Sequence, residues 1–176
     1  MKANNIEVYK YLHHSLLRET ETMLHLLQKA EDYVKESGAS ATDILEARLA
    51  PDMFSFIKQV QVFTDNAAGA VARGAGLPKP SMPDTETSFQ ELIERTEKTK
   101  AFILSIDPEK VEGLDTLKVK LPWMPAGMYF EGGNYLSNFV MQNATFHLVI
   151  AYGILRHKGV NIGKTDYIGN LEMKSE

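Results

Sequence analysis

The stretch NATFHLVIAY, residues 143–152, sets a carboxamide, Asn143, and an imidazole, His147, four residues apart in an otherwise apolar run. At 3.6 residues per turn, such a pair stacks on one face of a helix. Leu136, Phe139, Val140, Ile150, Ala151 and Ile154 project onto one apolar arc, with Asn143 and His147 near its centre. A buried imidazole is costly unless its nitrogens find partners, and burial also makes it a weaker base. Three kinds of chemistry suit this pair. His147 could bond Asn143, or a hydroxyl on a facing helix, and simply fix packing. It could line a pocket between helices as acid, base or hydrogen-bond donor, with Asn143 orienting it or a ligand. It could ligate a metal, for which Asp65 is the only partner to nominate. No HxxxH or HExxH spacing occurs, and Asn138 projects to the opposite side from His147. Spacing therefore implies no metal and no cofactor.

Other side chains could wall such a pocket. His13 borders the apolar arc of the first helix beside Thr20 and Leu24, so it can reach the interior. His14 and His25 lie on the polar side of that helix, and His157 sits in a basic last turn, RHKG, where a cation suits the helix dipole. Thr64 is central on the apolar face of its helix. It either back-bonds to a carbonyl one turn earlier or points a hydroxyl inward. Trp123, between Pro122 and Pro125, and Tyr129 would be carried by a hairpin, covering the end of the core or stacking on a ligand. Thr64, His13, Trp123 and Tyr129 are thus the candidate ligand-binding residues beside a catalytic pair of His147 and Asn143.

Four long helices must hold these residues. The first runs from about Asn4 to Ser37, with Tyr9, Leu12, Leu16, Met23, Leu27, Ala30 and Val34 on one face and Gly38 as its stop. A short helix through Arg48 follows, capped by Ser40 or Thr42. The second long helix is expected from Pro51 to about Arg73, with Met53, Ile57, Val60, Thr64, Ala67 and Val71 inward. A loop rich in Pro and Gly leads to the third, about Thr85 to Ser105, capped by Thr85 or Thr87. TLKVKL alternates like a strand, and MYF can return as its partner. The fourth helix spans about Gly133 to His157, and the tail beyond it reads as an extended surface segment, fraying from about residue 170. The fold class expected is all-α: one up-and-down four-helix bundle over residues 1–176, with a short β-hairpin before the last long helix.

With 176 residues, 44% of them hydrophobic, the chain can bury a full core. It has no cysteine, which excludes disulfides, thiol nucleophiles and thiolate metal sites and suits a reducing cytoplasm. The N-terminus lacks the apolar core of a signal peptide, and no apolar run approaches a membrane span. A net charge of −4, with Lys and Arg scattered, gives no basic face for nucleic acid. The expected partners are a small molecule and a second copy of the chain, paired through the first helix or the small-residue face of the second.

The segments LEARLAPDMFSFIKQVQVFTDNAAGA, DTETSFQEL and NATFHLVIAYGILRHKGVNIGKTDYIG resemble the DUF1993 family, a branch of the DinB/YfiT-like four-helix bundle superfamily. The resemblance runs from about Tyr9 to Gly169 and implies that fold. For the superfamily it implies a metal site of three histidines, one on the second helix and two on the fourth, used by some members in thiol-dependent transfer. This sequence departs from the pattern. Asp65-Asn66 stands where Asp-His is usual, Asn138 replaces a histidine, Gln142 a proline, and Ala144-Thr145 two aromatic residues, while Asn143 and His147 are kept. Asn is a poor substitute for imidazole toward zinc or nickel. The departures imply room beside His147 for an organic molecule and metal-independent acid–base chemistry such as isomerisation, cyclisation or dehydration. The alternatives are a non-catalytic dimeric bundle and a divalent-metal enzyme.

Overall fold

The computed structural model describes residues 4–169. Helix α1, Asn5–Ser37, starts where the Asn4 side chain accepts the Ile6 N–H, and stops at Gly38, whose φ of 70° favours a residue without Cβ. Ser40 caps α2, Ala41–Leu45, which ends short of Arg48. Helix α3, Phe56–Gly74, follows Ser55 at its N-cap position and does not begin at Pro51. Pro51 instead occupies a turn closed by the Met53 N–H on the Ala50 carbonyl, the use of proline that its fixed φ favours. Helix α4, Phe89–Leu104, is capped by Ser88, whose hydroxyl takes the Glu91 N–H while the Glu91 carboxylate takes the Ser88 N–H. Thr87 also donates to Glu91, so the capping lies one residue past the threonine expected from sequence.

Strands β1, Lys118–Val119, and β2, Phe130–Glu131, pair antiparallel, with Lys118 opposite Glu131 and Val119 opposite Phe130. The last long helical run is composite: α5, Gly132–Asn134, a π-helical turn over Tyr135–Val140, and α6, Met141–His157. After it, residues 164–168 form a helical turn, α7 (Lys164–Ile168), where an extended segment was expected. The Asp166 carboxylate accepts the Gly163 N–H and so opens that turn. The expected fraying from residue 170 lies outside the described residues.

Helix α1 packs on α4 and α6, and α3 packs on the same two from the other side. The bundle and the position of its hairpin are those the sequence implied; helix direction differs at one step. Phe56 meets Phe89 and Thr64 meets Arg95, so α3 and α4 run parallel, and the loop over residues 75–88 crosses the length of the bundle. Gln59 meets His147 and Arg73 meets Tyr135, so α3 and α6 are antiparallel. Tyr9, Leu16, Met23, Phe63, Leu92, Leu136 and Ile154 form part of the fully buried core. At its end the Tyr9 hydroxyl donates to the Val71 carbonyl at 3.0 Å. Gly74 lets that ring in, since a Cβ there would stand 2.1 Å from it. No described helix is long and apolar enough to cross a membrane.

Candidate functional site

His147 lies in the middle of α6, only 6% exposed, and faces α3. Its Nδ1 is 2.6 Å from Gln59 Oε1. Gln59, buried on the first turn of α3, donates its amide Nε2 to the Phe54 carbonyl at 3.1 Å. That carbonyl can only accept, so the Gln59 amide turns its NH₂ toward it and its oxygen toward the ring. The oxygen in turn can only accept, so Nδ1 carries the proton. Nε2 is left with its lone pair. It has no hydrogen-bond partner among the described residues and is not one of their fully sealed, unpartnered polar atoms.

Two phenyl rings lie against the imidazole. Phe54 stacks on the imidazole with centroids 6.4 Å apart and planes 18° apart, and Phe146 meets it edge-on at 5.3 Å and 87°. Both phenyl rings are about half exposed, at 49% and 52%. Burial holds the imidazole below its ordinary pKa, so it is neutral near pH 7. The result is a neutral base, fixed in one tautomer, beside two half-exposed aromatic rings.

The other candidates do not gather there. Asn143, one turn earlier, is partly exposed and makes no hydrogen bond to His147 among the described residues; Gln59 takes the role expected of it. The Thr64 hydroxyl back-bonds to Val60 and Gln61 at 3.0 and 2.9 Å, and also accepts from Arg95. His13 is buried as expected, but between α1 and α4, where its Nε2 donates to the Ile103 carbonyl at 2.8 Å. Trp123 is 62% exposed and lies against Phe130 and Phe139 at the hairpin end, while Tyr129 lies under the Lys118 ammonium. His14, His25 and His157 are exposed, and His25 bonds Asp166 of α7 at 2.7 Å. Two grooves lie elsewhere. One of about 730 Å³ separates α1 from α7, and one of about 550 Å³ lies between Val8 and Leu12 of α1 and Leu136 and Met141. None of the expected wall residues lines either.

Sequence reasoning missed three residues. Gln59 lies beside Phe56 and Phe63 on the inner surface of α3, a polar side chain among apolar ones. Arg95 sits on the α4 stripe of Leu92, Thr96, Thr99 and Ile103, and is 2% exposed. Glu19 is turned toward α6, accepts the Thr145 hydroxyl at 2.6 Å through Oε1, and keeps Oε2 sealed without a partner among the described residues. Each is a polar residue on an apolar stripe, which was the available signal.

The side chains at the positions of the superfamily's histidines do not build a metal site. Asn66 offers its amide N–H, not a lone pair, to the Val140 carbonyl at 3.0 Å beside the π turn. Asn138 is exposed and bonds Asn134. Asp65 is committed to Lys79 and Arg95, on the α4 side, so the Asp65–His147 pair is not assembled. Among the described residues no group of three His, Cys, Asp or Glu side chains is placed to hold a metal.

This helix order, with a hairpin ahead of the last helix, is that of a DinB-like bundle. The crystal structure of a DinB family member protein from Shewanella denitrificans, at 1.83 Å resolution, matches it with a TM-score of 0.89 and 29% identity, covering 98% of this chain and 97% of that one. The pattern of DUF1993, a domain of unknown function, matches residues 8–168, and the chain belongs to that family. No curated protein sequence matches it.

Proposed function

We propose that the surface at His147 binds a small, flat organic molecule and that Nε2 takes a hydrogen bond or a proton from it, without a metal. The supporting observation is the relay from the Phe54 carbonyl through Gln59 to Nδ1, which leaves Nε2 as an unprotonated acceptor on a ring packed against two half-exposed phenyl rings. A base fixed in one tautomer loses no orientation freedom when it accepts a proton, and Gln59 stays bonded to Nδ1–H throughout. Proton transfer within one substrate, as in an isomerisation, suits a single such base. The pocket walls in this reading are Phe54 and Phe146, in place of Thr64, His13, Trp123 and Tyr129.

Substituted phenols are the natural probes, carrying a ring for the phenyl walls and an acidic O–H for Nε2. One hydrogen bond and two ring contacts, each worth about 1 kcal/mol, place a fragment near millimolar affinity. Nitrophenol titration should perturb the His147 ring resonances and raise Tm in the wild type, and do neither in a folded His147→Ala variant. Equal responses in both would refute the proposal.

A further inference from the structure

The groove between α1 and α7, about 730 Å³, carries charge of both signs. At 100° per residue His14, Arg18, Glu21 and His25 of α1 fall within about 60° of one another, so they line it as one stripe. Helix α7 is fastened as the opposite wall. Arg18 Nη2 donates to the Ile168 carbonyl at 2.8 Å, and the Thr22 hydroxyl donates to the Tyr167 carbonyl at 3.2 Å. Asp166 accepts the Gly163 N–H on Oδ2, and its Oδ1 lies 2.7 Å from His25 Nε2. The bond to His25, then that from Gly163, holds the Asp166 carboxyl below its usual range, so it is ionised near pH 7 and Nε2 carries a proton. Fastening α7 does not use up the stripe. Among the described residues His14 has no hydrogen-bond partner, Arg18 has Nε and Nη1 to spare, and His25 has Nδ1. Glu21 pairs with Lys100 of α4 through Oε1 alone, at 3.0 Å.

We infer that this groove binds a phosphorylated polyol, its phosphate between His14 and Arg18 and its hydroxyls toward Glu21 and Asp166. A guanidinium edge with an imidazole one helical turn away matches the oxygens of a phosphate. Carboxylates can only accept, so the end at Glu21 and Asp166 suits O–H groups and repels a second anion. That repulsion rules out a polyanion as the occupant. Leu17 and Ile168 add aliphatic surface for the C–H side of a sugar. No phenyl, phenol or indole ring lines the groove among the described residues, so nothing there selects a flat aromatic ligand. Arg18 and His25 are seven residues apart, about 10 Å along the helix, and the volume is in the range of small-molecule sites. This inference does not rest on the His147 reading.

The full chain can be titrated with glucose 6-phosphate, inorganic phosphate and glucose while the ring resonances of His14 and His25 are followed. Glucose 6-phosphate should shift both rings and bind at least about tenfold more tightly than either of the other two. His14→Gln replaces an exposed side chain that makes no hydrogen bond among the described residues. It should leave Tm unchanged and weaken glucose 6-phosphate and inorganic phosphate alike, about tenfold. Glu21→Ala should narrow the preference for glucose 6-phosphate over inorganic phosphate. His147→Ala should change none of these affinities while it removes nitrophenol binding, so the two readings fail separately. Equal affinity for inorganic phosphate and glucose 6-phosphate, no shift at the His14 and His25 rings, or a His14→Gln protein that binds as the wild type does would each overturn the inference.

Discussion

Arg95 and His147 are both buried polar side chains bonded to α3, and they are finished to different degrees. All three Arg95 nitrogens are used. Nε donates to Thr64, Nη1 to Glu86 and the carbonyls of Met82 and Pro83, and Nη2 to Asp65 and the Gln61 carbonyl, with Asp84 paired at 3.1 Å. Its charge is matched by three carboxylates, two of them in the loop that crosses the bundle. A cluster in which every donor is spent can hold that loop down and has nothing left for a ligand. His147 has one nitrogen committed and one without a partner among the described residues, beside two half-exposed rings. Polarity in a core is thus not by itself a sign of function; an atom with unspent bonding capacity is.

The contrast makes ordered predictions. Arg95→Ala strands Asp65, Asp84 and Glu86 around an emptied site and should cost about 3–5 kcal/mol in urea unfolding. It should leave nitrophenol binding unchanged in the protein that remains folded. A loss of binding equal to the loss at His147→Ala would erase the distinction between the two clusters. His147→Ala leaves the Gln59 oxygen without its donor, for about 1–3 kcal/mol, and removes nitrophenol binding as well.

The titration of His147 is the next, smaller effect. Burial lowers its folded pKa, so its contribution to stability is complete above the unfolded value near 6.5 and is lost as pH falls through that value toward the folded one. Urea midpoints of the wild type should therefore drop between about pH 7.5 and pH 5.5 relative to His147→Gln. A parallel fall in both proteins would remove His147 as the cause. Glu19 has the opposite sign. Burial raises its pKa against the Thr145 hydroxyl, so its ionisation costs stability as pH rises from the unfolded carboxyl value through the folded one. Glu19→Gln should gain on the wild type over that rise and match it at lower pH. A constant difference at every pH would contradict the sealed setting of Oε2.

The sequence carried the bundle because periodicity and stop signals are local. Gly38 ended α1 as expected, and the apolar arcs of α1 and α6 named much of the core. It missed what depends on the neighbours. Helix α3 is packed by both α4 and α6, so it is buried almost all round from Ala67 to Ala72, and a single inward face left Gln59 unnoticed. His147 was legible as interior, but Asn143 was paired with it by spacing alone. On a helix the i−4 neighbour lies beside a side chain and not in front of it, and what His147 faces is set by the α3 packing. Arg95 could be suspected from its place on an apolar stripe; that Asp84 and Glu86 would reach it from a loop could not. The π turn at Tyr135–Val140, with Asn66 on its last carbonyl, has no counterpart in the residue pattern.

The most direct test is the ¹⁵N and ¹H spectrum of the His147 ring at pH 7.5. A neutral ring protonated on Nδ1, with Nε2 showing the shift of a bare lone pair and Nδ1–H coupled to Gln59, is the result required. A ring protonated on Nε2, or a cationic one at that pH, would contradict the assignment of Nε2 as a base.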